Sequence, residues 1–188
     1  MQRVANAPSI IRFPHGVAGA WLARRWYYMP RSRRAYSVRQ ISQGDRRLLA
    51  EFALNLARTA PEREQPAARA VSDLLFEHVL TNAVDAVGFA ALENTAAGDR
   101  VIGVAACLRD ADGAQFAVAV ADGYRDEQVG RTLLSTLVRH ARRAGIPRLT
   151  GEMCWSNRPM QMLAMSMGFV VEPVARDRNL RHLVLALK

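Results

Sequence analysis

Apolar and polar positions alternate over "YSVRQIS" (36–42), the period of a half-buried strand, and then the period changes. In "QGDRRLLAEFALNLARTA" the residues Leu48, Leu49, Phe52 and Leu56 recur at helical spacing, with Ser42 or Asp45 as cap and Pro61 as the stop. The polar stretch "PEREQPAARAVSDLLFEHVLTNAVD" predicts a second helix that turns Val71, Leu74, Leu75 and Val79 inward. Three apolar runs follow in quick succession, "AVGFAALEN", "RVIGVAACLRD" and "AQFAVAVAD", and predict an antiparallel meander. The connectors "TAAGD" and "ADG" are turn-like, and Gly113 in the second is expected to take a positive φ. Next, "VGRTLLSTLVRHARRAG" carries Leu133, Leu134, Leu137, Val138 and Ala141 as one apolar stripe, with Gly145 as its C-terminal stop. A strand "RLTGEMCW", a short helix "NRPMQMLAMSMG" with Asn157 as N-cap, and strands "FVVEP" and "HLVLALK" complete the chain. The predicted class is α/β (α+β), a central, mostly antiparallel mixed sheet flanked by helices.

Composition narrows the setting. A chain of 188 residues suits one domain with a full core, and half of its residues are hydrophobic. No run approaches the roughly 18 apolar residues of a membrane span, so no integral membrane contact is expected. Cys107 and Cys154 lie in apolar runs, and the four histidines lack metal-ligand spacing. Neither a disulfide framework nor a metal site is expected, and the setting is read as reducing and cytoplasmic. The net charge of +9 is uneven: residues 1–44 hold eight arginines and no acid, which leaves +1 for the rest. Residues 1–35 are therefore read as a basic, poorly ordered N-terminal arm, and 36–188 as the domain. Within the arm, "GVAGAWLARRWYY" is compatible with a short amphipathic helix carrying Trp21, Leu22 and Trp26, ended by Pro30. An acid-free, arginine-rich arm is also compatible with nucleic-acid contact, but an inert extension is expected and nucleic acid is not an expected partner.

The stretch "DGYRDEQVGRTLL" (122–134) runs from a strand end through a turn into a helix, the order that frees backbone N–H groups for an anion. Arg125 and Arg131 add charge-assisted donors. With "RRAGIPRL" and "GEMCWSNRPMQMLAMSMGF", the ordered set resembles the GNAT family of N-acetyltransferases from about Tyr36 to Lys188. It looks closest to the acetyltransferase domain of bacterial protein lysine acetyltransferases. The resemblance implies acetyl-CoA as cosubstrate, held between the splayed strands "QFAVAVA" and "RLTGEMC". Its pantetheine arm would pair with the backbone around Val118 and Val120. Its pyrophosphate would rest on the turn formed by Arg125, Gln128, Val129, Gly130 and Arg131, and Asn157 would help hold the arm. An acyl-acceptor amine, on a protein or a small molecule, is the implied partner, and the family admits a homodimer.

Two positions depart from the family pattern. Gln128 stands where the loop usually has its first glycine, and a non-glycine residue in that backbone conformation costs about 1–2 kcal/mol. Gln115, in "AQFAV", stands where the subgroup has a glutamate acting as general base, and an amide takes no proton near neutral pH. Glu152 on the facing strand is the substitute base, with Asp122 and His140 behind it. The tyrosine acid of many relatives falls at Ala164. Met153, Met160, Met162, Met165 and Met167 read as core filler. The function expected is transfer of an acetyl group to an amine by direct attack; the alternative is a catalytically degenerate module that binds CoA or a partner.

Overall fold

The computed structural model describes residues 24–32, 34–61, 65–175 and 177–187. Eight strands form one sheet: β1 (Arg25–Tyr28), β2 (Ala35–Gln40), β3 (Ala86–Thr95), β4 (Gly98–Arg109), β5 (Ala114–Val120), β6 (Arg148–Cys154), β7 (Val170–Val174) and β8 (Asp177–Ala186). Their order across the sheet is β1-β2-β3-β4-β5-β6-β8-β7. Every neighbouring pair is antiparallel except β5 with β6, which is parallel. The helices are α1 (Arg46–Thr59), α2 (Gln65–Asp73), α3 (Val129–Arg143) and α4 (Arg158–Ser166). Helices α1 and α2 cover one face and α3 and α4 the other, giving two cores separated by the sheet. Among the described residues no helix is long and apolar enough to cross a membrane.

The expected stripe of α3 is buried at each of its five positions because its period is unbroken. In α1, Leu49, Phe52 and Leu56 are buried and Leu48 is half-buried. The second helix departs from expectation. After Asp73 it widens into a π-helical turn, Leu74–Val79, in which the Leu80 N–H reaches back to the Leu75 carbonyl at 2.9 Å. The wider turn puts Leu75, Val79 and Leu80 in the core and leaves Leu74 at its margin.

One turn expectation and one boundary need correction. Gly113 does not take a positive φ; the left-handed residue in the meander is Gly98, at +110°. What position 113 requires is room, since a Cβ there would lie 2.5 Å from the Arg148 carbonyl oxygen. The N-terminal boundary also moves. Residues 1–23 lie outside the described residues, and with them Trp21 and Leu22 of the expected helix. Residues 25–28 are not helical: they form β1, paired with β2 from Arg25↔Val38 to Tyr28↔Ala35. The sheet thus begins about ten residues before the expected start at Tyr36, and "RWYY", an aromatic run favourable to strands, is part of it.

Two features shape the sheet around this hairpin and the loop before α3. A bulge at Ile102 of β4 sets Ala91↔Gly103 beside Leu92↔Val101, and the Ile102 carbonyl accepts the Ala121 N–H at 3.0 Å. Beyond it, the buried Glu93 carboxylate takes ion pairs from Arg34 and Arg100, both at 2.6 Å, and the Tyr124 hydroxyl at 2.6 Å. Arg100 also hydrogen-bonds the Tyr124 hydroxyl. Both guanidiniums lie over the Tyr124 ring. Burial alone would raise the Glu93 pKa, but the Tyr124 and Arg100 hydrogen bonds and the two positive charges outweigh it and hold it below the ordinary 4.5.

Glu93→Gln is expected to cost about 1–3 kcal/mol at pH 7, because a buried charged acceptor loses its donors' full strength. A carboxyl with a depressed folded pKa contributes fully above its unfolded value and loses that contribution as pH falls through the folded one. The gap in urea midpoint between wild type and variant should therefore be full above pH 4.5 and close below it.

Candidate functional site

Strands β5 and β6 pair only at Ala114↔Leu149 and Gln115↔Thr150, and then they part. One residue further on the two strands meet in a tight side-chain contact. A Cβ on Gly151 would come within 2.8 Å of the Phe116 ring and 3.0 Å of the Phe116 carbonyl oxygen. Phe116 therefore lies over a residue with no side chain, braced from beyond by Phe169 at 5.3 Å between ring centroids. Past this wedge, Phe116–Val120 form no ladder with β6, and a cleft of about 180 Å³ opens between the strands. Val118 and Val120 line it. Helices α1 and α2 close one side with Leu56, Ala60, Ala68 and Val71, and α4 closes another with Met160 and Leu163.

At the cleft mouth the chain turns through Asp122–Tyr124 and enters α3. Gln128, the N-cap, sits at φ +64°, ψ 2°. The glutamine thus adopts the left-handed conformation for which the usual glycine is suited. Helix geometry leaves the N–H groups of Val129, Gly130 and Arg131 without an intrahelical acceptor. Val129 is wholly buried, while Gly130 lines the cleft. Its missing Cβ would make ordinary contacts with Leu163 and Val120 at 3.5 and 3.6 Å, so alanine would also fit there. Arg125 lines the cleft and its Nε pairs with Asp122 Oδ1 at 2.7 Å. Arg131 is not among the residues lining the cleft; it donates to Ser166 Oγ on α4 at 2.8 Å. Asn157 borders the cleft and caps α4, its Oδ1 accepting the Met160 N–H at 3.1 Å.

The candidate bases separate clearly. Ala114, Phe116, Leu149 and Met153 belong to the core under α3 and α4, so alternation puts Gln115, Thr150, Glu152 and Cys154 on the opposite face. Gln115 is exposed and stands outside the cleft wall, whereas Glu152 lines it, with His182 Nδ1 at 3.7 Å from Oε1. Asp122 is engaged with Arg125. His140 lies on the other face, edge-on to Phe89 of β3 at 5.6 Å and away from the cleft. Burial first, then the nearby Arg143, pushes its pKa down. Ala164 is fully buried, and among the described residues lining the cleft there is no tyrosine.

Burial raises the Cys107 thiol to about 12, which makes it an inert core group. Cys154 borders the cleft with its sulfur 3.1 Å from Ser156 Oγ. The methionines divide. Met153 is buried and Met160 and Met167 pack against the core, but Met162 and Met165 are exposed at 72% and 58%. The expectation of core filler fails for those two because α4 presents only one side to the sheet.

Sequence reasoning missed Glu127, which is buried although it lies in a polar loop. Its oxygens accept the N–H groups of Arg31 at 3.0 Å and Ser32 at 2.7 Å, in the turn between β1 and β2. The one sequence clue is chemical: a glutamate beside a turn suited to anions needs its charge satisfied elsewhere.

A family model described as the Acetyltransferase (GNAT) family matches residues 50–169. Among solved structures, the chain is similar to the GNAT domain of S. lividans PAT, at 22% identity and a TM-score of 0.65, covering 87% of this chain and 97% of that one. It is also similar to the yncA protein of Salmonella typhimurium with its cofactor acetyl-CoA, at 23% identity and a TM-score of 0.56, covering 81% and 94%. A third similar structure is the paia N-acetyltransferase of Thermoplasma acidophilum in complex with coenzyme A, at 17% identity and a TM-score of 0.59, covering 80% and 98%. At these identities the likeness shows a shared fold.

If the wedge sets the fork, Gly151→Ala must push Phe116 and the β5 edge aside. The expected cost is about 1–3 kcal/mol in chemical denaturation, as for other overpacked sites. An unchanged denaturation midpoint would mean that the strands part for another reason.

Proposed function

The chain belongs to the GNAT acetyltransferase family, and from that premise we propose that it is an acetyl-CoA-dependent N-acyltransferase. It transfers an acetyl group to an amine, carried by a protein lysine or a small molecule, by direct attack. The observation that carries this reading is the fork: a parallel strand pair that ends after two residues and opens onto the N-terminus of α3. The residues suit the cosubstrate. An edge of β5 without a ladder partner offers backbone groups to an amide-bearing arm, and the first-turn N–H groups of α3 offer donors to a pyrophosphate. Acetyl-CoA, when bound, supplies an activated thioester carbonyl.

The remaining work falls to the protein. Glu152 holds the acceptor ammonium at the cleft and takes its proton, with His182 as its neighbour. Leu56, Ala60, Ala68 and Val71 exclude water from that side, which strengthens the ion contact. Two free, buried cysteines accord with a reducing, cytoplasmic setting. A second reading, a module that binds CoA or a partner without transfer, draws on Gln115 standing where the resembled subgroup carries its base.

The melting temperature with acetyl-CoA, with CoA and with ATP as control tests the binding half. Ligand at 100 times Kd adds about 2.7 kcal/mol, or roughly 5–10 °C for a chain of this size. No shift at millimolar acetyl-CoA would sink the reading. The catalytic half is tested by thiol release with an amine acceptor: Glu152→Gln should lower kcat about 10²-fold or more, the usual worth of a general base. Gln115→Glu should raise it if that face reaches the amine. Binding without turnover in wild type and in Gln115→Glu would favour the module.

A further inference from the structure

Gln128 is one of two non-glycine residues with positive φ among those described, and it caps the helix that would meet the cosubstrate. Chirality disfavours that conformation for a residue with a side chain, so it persists only where its surroundings over-determine it. The neighbouring residue shows how. Glu127 is 5% exposed, and its two oxygens accept the N–H groups of Arg31 and Ser32 at 3.0 and 2.7 Å. Burial would raise its pKa, but those amide donors and the Arg31 charge win, so it stays a carboxylate. An acid next to a phosphate-binding turn would repel its ligand; here both oxygens point away, into the β1–β2 turn. Two further bonds hold the same hairpin to the same segment. The Tyr36 hydroxyl and Thr132 Oγ1, in the first turn of α3, are 2.8 Å apart, and Arg31 pairs with Asp126 at 2.6 Å. The Arg31–Asp126 pair is largely exposed and contributes little.

We propose that Glu127 is a positioning residue: by clasping the β1–β2 turn it holds Gln128 left-handed and so aims the first-turn N–H groups of α3 at the CoA pyrophosphate. The N-terminal hairpin thereby does the work that a flexible-backbone glycine does elsewhere. The inference rests on the acetyl-CoA reading, and its test separates the two.

The test compares wild type, Glu127→Ala, Gln128→Gly and the double variant, with acetyl-CoA as titrant in calorimetry and amide exchange measured without ligand. Removing the clasp releases Gln128 to its preferred conformations, and Glu127→Ala should weaken acetyl-CoA binding about tenfold. In the double variant glycine takes the left-handed conformation unaided, and affinity should return to within about threefold of Gln128→Gly alone. The Thr132 amide, which donates to the Gln128 carbonyl at 3.0 Å, should exchange faster in Glu127→Ala and recover in the double variant. A residue that only stabilised the fold would lower the melting temperature without rescue by glycine, and that pattern overturns the proposal. Should alanine lower the folded fraction, Glu127→Gln serves in its place, with a smaller loss of about threefold expected because one acceptor oxygen remains. If wild type itself fails to bind acetyl-CoA, the acyltransferase reading falls and the clasp is judged on exchange at Thr132, where no change overturns it.

Discussion

The molecule depends on a parallel strand pair that is broken off early. Antiparallel neighbours on either side are laddered along most of their length, but β5 and β6 share only two residue pairs. Pairing stops where Phe116 lies over Gly151, and the gap beyond exposes backbone, apolar wall and Glu152 to one space. Continuity across the gap comes from side chains: α2 packs on both β5 and β6, and one core cluster holds Phe116 of β5 together with Leu149, Met153 and Leu183 beyond the fork. The sheet is one body because a helix bridges it where hydrogen bonds do not.

The second organising contact joins distant parts of the chain. The β1–β2 hairpin meets residues 122–132 through Glu127, the Tyr36–Thr132 bond and the Glu93 node, spanning more than ninety residues of sequence in the first two. Burying Glu93 is favourable only because Arg34, Arg100 and Tyr124 surround it; a carboxylate left there without them would be strongly penalised. The same node fixes Tyr124 just ahead of the loop, so the bulge at Ile102, the node and the clasp together set where α3 begins.

Legibility followed the range of the signal. The α3 stripe and the β3–β5 meander were readable because periodicity is local and both are long. The fork's two strands were named through family resemblance, and the structure gives the geometric reason in Phe116 and Gly151. The strand at 25–28 was not readable: four residues amid arginines carry no alternation, and their pairing partner lies ten residues on. Gly113 was misread because a glycine in a turn signals either unusual φ or close approach, and only Arg148, distant in sequence, decides which. Glu127 left no periodic signal and only a chemical clue, since its role is fixed by two amides in another element. Of the proposed bases, the alternation of β5 and β6 places Gln115 and Glu152 on one face, but only tertiary packing shows that Glu152 reaches the cleft.

The charge arrangement around the loop carries a kinetic consequence. Residues 122–131 hold three carboxylates and two guanidiniums, with Arg125 paired to Asp122 and Arg131 aimed at Ser166. Within this stretch the charges nearly cancel, so the loop itself supplies little long-range attraction to a polyanion, in spite of the chain's overall +9. What the loop offers an anion is a set of short-range, directed N–H donors at the start of α3, which act only on contact. Donors of this kind bear on how long a ligand stays more than on how fast it arrives, and their aim depends on how rigidly the turn is held.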